Sequence, residues 1–240
     1  MGNINASFLA VNNGAQSPVA INSTRFSSTA GPYLEYKKDK VVASVRGYYQ
    51  IGVDVSKKDM QAYFAGVDFS YTLMKKLTLG IGGEIISGQS QTDTTKAYKD
   101  VNHSFNPLYG TAHKFNGYMD YFYVGNHANS VGLNDFYFKA KYKAEKWWIA
   151  LDAHQFIAAA DVLDKKELTT TGKYTAMFST LGTEIDLTFG YNLTKGVSLQ
   201  IGYSQMFATE TMEALKGGSK DETNNWMYLM FTFKPQFLKN

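Results

Sequence analysis

Long runs of this 240-residue chain alternate apolar and polar residues with a period of two. In the run 61–73, Tyr63, Val67 and Phe69 alternate with polar residues such as Asp68 and Ser70. This pattern predicts β-strands that each have one apolar face. It recurs in the runs 40–54, 61–73, 77–85, 135–143, 147–156, 183–193, 197–207 and 225–234. Two weaker strands are predicted at about 4–12 and 27–38, which brings the number to ten.

The lengths of the strands and of their connections narrow the fold class. The runs exceed the usual five or six residues of globular strands and suit the roughly 9–11 residues that cross a bilayer at a tilt. Short turns are predicted at 37–40, 74–76, 144–146 and 194–196, and long segments at 11–26, 88–130, 158–179 and 209–223, with a shorter one at 55–59. If 88–130 is one connection, every short turn lies on one side of the sheet. Alternating short turns and long loops, with an even strand number, are typical of outer-membrane barrels.

We therefore predict an all-β fold, an antiparallel transmembrane β-barrel of about ten strands, with short periplasmic turns and long extracellular loops. The expected location is the bacterial outer membrane, with outer-membrane lipid as a partner. The chain has no cysteine, which excludes disulfides and thiolate metal sites. No run of about 18 apolar residues predicts a transmembrane helix, and no basic patch interleaved with aromatics indicates a nucleic-acid partner.

Opposite their apolar face, the predicted strands place charged residues of both signs. This inward set comprises Arg46, Asp68, Glu84, Asp135, Lys139, Lys141, Asp152, His154, Glu184 and Asp186. Two interpretations stay open. The charges can pair and fill a narrow barrel, or they can line a polar pore that selects a solute.

Catalytic and metal chemistry receive little support from the sequence. Asp152 and His154 share one strand face, but residues two apart in a strand stand about 6–7 Å apart, too far for a direct hydrogen bond. A hydrolytic enzyme that uses this pair is the weakest hypothesis, and we predict that the protein is not an enzyme and has no cofactor. His103, His113 and His127 lie in the long central segment, and no two of the four histidines have the spacing that favours a metal site.

The central segment contains the stretch FNPLYGTAHKFNGYMDYF, residues 105–122, which resembles the central motif of the alginate export family of outer-membrane β-barrels. The matching residues are Phe105, Pro107, Leu108, Tyr109, Gly110, His113, Lys114, Phe115, Gly117, Met119, Asp120, Tyr121 and Phe122. The resemblance implies a channel for passive passage of an acidic polysaccharide or another small polar solute. Barrels of that family have more strands and begin with a signal peptide, which is not found in MGNINASFLAVNNG. We therefore expect one barrel domain over 1–240 that is the C-terminal portion of a longer barrel.

The resemblance suggests residues for this passage. Lys139 and Lys141 on one strand, Arg46 opposite them and Lys114 in the central segment would attract the carboxylates of a polyuronate. A connection of about 40 residues far exceeds usual lengths. We expect 88–130 to fold into the barrel mouth as a constriction, with His113, Lys114 and Asp120 facing the pore.

The complete set of expected pore-lining residues is Arg46, Glu84, His113, Lys114, Asp120, Asp135, Lys139, Lys141, Asp152 and Glu184. The alternative is a structural or adhesive barrel with a plugged lumen and no transport.

Overall fold

The computed structural model describes residues 2–18, 20–108, 116–127 and 129–235, without the side chains of residues 20 and 21. The strands are β1 (Ile4–Ser17), β2 (Ala20–Lys38), β3 (Val41–Val53), β4 (Asp59–Leu73), β5 (Leu77–Ile86), β6 (Val101–Asn102), β7 (Leu133–Lys143), β8 (Trp147–Ile157), β9 (Thr180–Thr194), β10 (Val197–Ala208) and β11 (Asn224–Phe233). The helices are α1 (Lys96–Lys99), α2 (Lys165–Thr171), α3 (Glu210–Lys216) and a 3₁₀ turn at Val124–Asn126. Within the described ranges, no helix is long and apolar enough to cross a membrane.

Ten of the strands form one antiparallel meander in the order β1-β2-β3-β4-β5-β7-β8-β9-β10-β11, so β1 and β11 lie at the two ends of this order. The two-residue strand β6 lies off this path and pairs in parallel with the start of β4. β5 and β7 pair directly, with Ile86 opposite Leu133, although residues 87–132 separate them in the chain. These residues are here called the central connection. They leave and re-enter the sheet at the same end of two neighbouring strands. The predicted fold class and strand number are confirmed.

The two faces of the sheet differ in polarity because side chains alternate along each strand. Outward-facing residues on adjacent strands form a continuous apolar band, in which Val45 pairs with Val67 and Leu151 pairs with Leu187. Their side chains are exposed in the isolated chain, as are Phe69, Ile81, Phe138, Ile201 and Leu229. Such a band is the surface that an outer-membrane barrel presents to lipid.

The first hairpin corrects one expectation from the sequence. The long connection expected at 11–26 is wrong, because β1 and β2 remain paired from Ile4↔Tyr36 through Gln16↔Thr24. Near the turn that joins them, the two strands contain polar residues such as Asn12, Asn13 and Ser28 in place of a regular apolar face. Backbone pairing does not require apolar side chains, so the ladder continues beyond the point where the periodic signal disappears.

A small apolar core closes the end of the sheet where the long connections lie. It combines strand ends with connection residues and comprises Ala62, Ile86, Phe105, Phe122, Val131, Leu133, Phe156, Ala158, Val162, Leu181, Met206 and Met212. Helix α3 adds Met212 to this core, and the Thr209 hydroxyl caps the helix by accepting a hydrogen bond from the Met212 amide. The core therefore holds the connections against the sheet at this end.

The apolar band predicts a depth-dependent cost for an outward charge. Val67 lies in the middle of β4, whereas Leu193 lies at the turn end of β9. We expect Val67→Arg to lower the free energy of unfolding by about 2–4 kcal/mol and Leu193→Arg by about 0–1 kcal/mol, because the penalty falls towards the membrane interface. Urea titration of protein folded into phospholipid vesicles measures both values. Equal losses in the two variants would contradict a lipid-facing band.

Candidate functional site in the lumen

A charged network crosses the inward face of four adjacent strands. Arg46 on β3 donates to Asp68 on β4 and, at 2.9 Å, to the Glu84 carboxylate on β5. The Tyr137 hydroxyl on β7 donates to the second oxygen of Asp68, and Ser44 Oγ donates to Asp68 at 3.1 Å. Because one guanidinium binds two carboxylates, Arg46 is engaged within the wall.

A second buried pair lies beside this network. His154 on β8 contacts both oxygens of Asp135 on β7 through Nδ1, at 2.8 and 3.0 Å. Both side chains are almost completely buried. The carboxylate that orients this histidine is thus a cross-strand neighbour, whereas Asp152, the partner considered in the sequence, lies 3.9 Å from the Lys139 ammonium.

The central connection enters the lumen and hydrogen-bonds to these carboxylates. Asn116 Nδ2 donates to Glu84 at 2.6 Å and to Asp135 at 3.1 Å. The backbone amides of Tyr118 and Met119 donate to one oxygen of Glu184, at 2.6 and 2.9 Å. Three wall carboxylates therefore hold one short segment of the connection in place.

Gly117 makes this close approach possible. Its φ is +80°, and a Cβ at this position would collide with the Glu184 carboxylate. A left-handed φ combined with direct backbone-to-side-chain packing requires glycine. The position of Gly117 thus lets two consecutive amides converge on one oxygen.

The side chain of Gln50 holds a second part of the connection, at Asn106. Gln50 Nε2 donates to the Asn106 carbonyl at 2.7 Å, and the Asn106 amide donates back to Gln50 Oε1 at 2.8 Å. Gln50 is only 1% exposed and also donates to Thr29 Oγ1 at 2.8 Å. This reciprocal pair satisfies both backbone groups of Asn106.

A cavity of about 600 Å³ lies between the charged network and the central connection. Its aromatic lining includes Tyr33, Tyr48, Phe64, Phe105 and Tyr137. Tyr48, Phe64 and Phe105 form a chain of rings with centroids 5.9 and 5.8 Å apart. Aromatic faces beside charged and amide groups suit a small solute that has both apolar and hydrogen-bonding surfaces.

The lysines of β7 lie on the same inward face, towards the short turns. Lys139 Nζ stands 4.7 Å from the ring centre of Tyr137, and Lys141 Nζ stands 4.4 Å from that of Trp148. Both contacts are cation–π interactions, which keep the ammonium groups over the lumen wall. The inward face thus has Glu84, Asp135 and Glu184 near the central connection, whereas Lys139, opposite Asp152, and Lys141 lie nearer the turns.

The structure brings together most of the residues predicted to line the pore. Arg46, Glu84, Asp135 and Glu184 join through direct contacts or through the central connection, and Lys139 joins Asp152. Lys141 lies beyond them on β7, and Asp120 follows the Glu184-bound amides with a left-handed φ of 58°. His113 and Lys114 lie outside the described residues.

Several residues of the site were not among those expected to line the pore, including Gln50, Asn116 and Tyr137. The inward parity of β3 and β7 includes Gln50 and Tyr137, and only the emphasis on charged residues left them out. Asn116 lies in a segment without periodicity, so no signal in the sequence indicates where its amide points.

His127 is a buried residue of the central connection and stabilises it by a contact within the connection. Its ring is 3% exposed, and Nε2 lies 3.2 Å from the Phe122 carbonyl, to which it donates. Burial lowers the pKa of His127 to about 4, and the nearby Lys216 ammonium acts in the same direction. The imidazole is therefore neutral at pH 7, and protonation in acid would oppose its buried position.

Tyr118 extends from the anchored segment towards the acidic part of the wall. Burial raises the pKa of Tyr118 to about 12, and the carboxylates of Asp152 and Asp186 contribute in the same direction. The phenol is therefore neutral at physiological pH.

Comparisons with known proteins do not place the chain in a family. No family model matches the chain, and no curated protein matches it. A solved structure of the NanC porin, in a rhombohedral crystal form, aligns over 98% of this chain and 95% of that chain, with 11% sequence identity and a TM-score of 0.43. A likeness this distant carries no argument about this chain.

The Gln50–Asn106 pair predicts a local effect on the central connection. We expect Gln50→Ala to raise the hydrogen-exchange rate of the Asn106 amide by roughly tenfold or more, since an unpaired buried group costs about 1–3 kcal/mol. Exchange followed by mass spectrometry in detergent measures this rate. Thr29→Val is the matched control, because it removes one bond to Gln50 and keeps the reciprocal pair. Unchanged exchange in Gln50→Ala would show that the pair does not hold the connection.

Proposed function

We propose that the protein is a channel of the bacterial outer membrane that passes small polar solutes through a narrow, charged lumen. The observation that supports this most directly is the cavity of about 600 Å³ on the inward face, next to Arg46, Asp68 and Glu84. An apolar outward band and a polar inward face are what a water-filled passage through a bilayer requires.

The size of the lumen favours a small solute. A wall of ten strands encloses far less space than the 16–18 strands of general porins, and the anchored segment at Asn116–Met119 takes up part of it. We therefore favour a solute or a single extended chain that crosses one unit at a time. The constriction by 88–130, with His113, Lys114 and Asp120 facing the pore, is part of this proposal.

The charge of the wall bears on passage of an acidic polysaccharide, as implied by the resemblance to the alginate export family. Lys139 and Lys141 offer weak, distributed attraction near the turns. Glu84, Asp135 and Glu184 would oppose a polyanion at the level of the central connection, although each accepts hydrogen bonds there. The charges of the described wall thus favour neutral or mixed-charge solutes. Passage of a polyuronate is the more specific hypothesis, and it rests on the resemblance and on the two lysines.

A second candidate function, a plugged barrel with a structural or adhesive role, is favoured by one set of contacts. The hydrogen bond that Gln50 donates to the central connection, and those that Glu84, Asp135 and Glu184 accept from it, would fix it inside the lumen. In that case the connections and α2 and α3 at the rim would be the functional surface.

Conductance in planar lipid bilayers separates the two candidates. We expect discrete single-channel steps from the purified protein, and steps roughly several-fold larger after residues 88–131 are replaced by a short glycine-rich turn between the paired ends of β5 and β7. Circular dichroism and the gel shift on heating confirm that the variant is folded. A silent native protein with a conducting variant would support the plugged barrel, and silence in both would overturn the channel.

Lys139 and Lys141 provide the test of anionic selectivity. If an acidic oligosaccharide enters from the turn side, Lys139→Gln with Lys141→Gln should weaken its block of the current by about tenfold, since two partly exposed charges contribute about 0.5–1 kcal/mol each. Lys75→Gln with Lys76→Gln, in the β4–β5 turn, removes the same charge from outside the lumen. Equal block in both variants would contradict selection by the β7 lysines.

A further inference from the structure

A cleft on the outward surface is not explained by transport. It has a volume of about 410 Å³ and is lined by Tyr36, Lys38, Asp39, Lys40, Val41 and Tyr71. These residues come from the last part of β2, the β2–β3 turn, the start of β3 and the last part of β4. The cleft therefore lies at the short-turn end of the sheet, at the opposite end from the apolar core.

The register shows that the cleft faces away from the lumen. Val41 pairs with both Lys38 and Tyr71, which places all three on one face of the sheet. Tyr36 is two residues before Lys38 and shares its face, as do Leu34 and Val45 of the apolar band. The cleft thus continues the apolar band at its edge, where a bilayer changes from hydrocarbon to headgroups.

Backbone contacts build the cleft and fix its shape. The β2–β3 turn contains Asp39 in a left-handed conformation, with a φ of 52°. The amide of Thr72 donates to the Lys40 carbonyl at 2.9 Å and ties the turn to β4. The two tyrosines are 40% and 37% exposed, so their rings line an open concavity.

The groups that converge on the cleft match a lipid phosphate. Lys38 and Lys40 contribute two ammonium groups against the single carboxylate of Asp39, and all three side chains are exposed. Tyrosine hydroxyls and ammonium groups donate hydrogen bonds to phosphate oxygens. The apolar floor at Val41, continuous with Leu34 and Val45, offers acyl chains a surface that a free phosphate ion would not use.

The charge of the surrounding surface supports the same ligand. The other short turns also contain lysines, among them Lys75, Lys76, Lys146 and Lys195, whereas Glu145 is their one acidic residue. Outward aromatic rings lie beside them, with Tyr142 and Trp147 5.4 Å apart between ring centroids. A ring of lysines and amphipathic aromatics is a surface for an anionic leaflet, and the cleft is a concave site within it.

We propose that this cleft binds the phosphate headgroup of an anionic phospholipid, with the acyl chains along the outward face of β2, β3 and β4. Lys38 and Lys40 neutralise the phosphate, and the hydroxyls of Tyr36 and Tyr71 orient it. The bound lipid fixes the depth of the turn end in the membrane.

Native mass spectrometry of detergent-solubilised, delipidated protein tests this proposal with phosphatidylglycerol as the probe. We expect one tightly bound phosphatidylglycerol, weaker binding of phosphatidylcholine, and an affinity about tenfold or more lower in the variant with Lys38→Gln and Lys40→Gln. Lys75→Gln with Lys76→Gln is the matched control, because it removes two lysines from a neighbouring turn outside the cleft. Its affinity should stay at the native value.

A second variant separates the cleft from its charge. Val41→Trp fills the floor of the cleft with a residue that membrane interfaces favour, so it should fold and yet lose the bound lipid. Native affinity in Lys38→Gln with Lys40→Gln, or in Val41→Trp, would overturn the proposal, and so would an equal loss in the control variant. Competition by inorganic phosphate at millimolar concentration would assign the site to a free ion and also overturn it.

Discussion

Backbone pairing between neighbouring strands is the constraint on which the rest of this structure depends. Each strand of the meander bonds to its neighbours over most of its length, and a bilayer offers no water to satisfy backbone groups that remain unpaired. Once the register is set, side-chain direction follows residue by residue, because a slip of one position would turn every inward group outward. The register of Val45 with Val67 thus fixes the lipid face, and that of Arg46 with Gly66 fixes the charged wall.

Most charged residues of the wall contact other charged residues of the wall. Arg46 serves Asp68 and Glu84, His154 serves Asp135, and Lys139 lies near Asp152. Buried charges are tolerated when they are paired and hydrogen-bonded, so this arrangement meets the cost of a narrow polar interior. It also means that formal charge counted along the strands overstates the charge a solute would meet.

The sequence allowed the strands, their faces and the inward charges to be predicted because all of these depend on a period of two, which is a local property. It misplaced the first hairpin, where Asn12 and Asn13 continue the ladder without an apolar face. It offered only Asp152 on the same strand as a partner for His154, at a spacing too long for a direct hydrogen bond, whereas the contact to Asp135 requires knowledge of which strands are adjacent. Asn116 and Gly117 lie in an irregular segment, where side-chain direction depends on tertiary packing and not on spacing.

Direct pairing of Ile86 with Leu133 has a consequence for how such a chain can change over time. Because β5 and β7 pair directly, the order of the ten strands in the meander does not depend on the residues between them. They are an insertion in a finished hairpin, and their length and composition can vary while the wall keeps its shape. The interior of this architecture can therefore diversify independently of its exterior, one loop at a time.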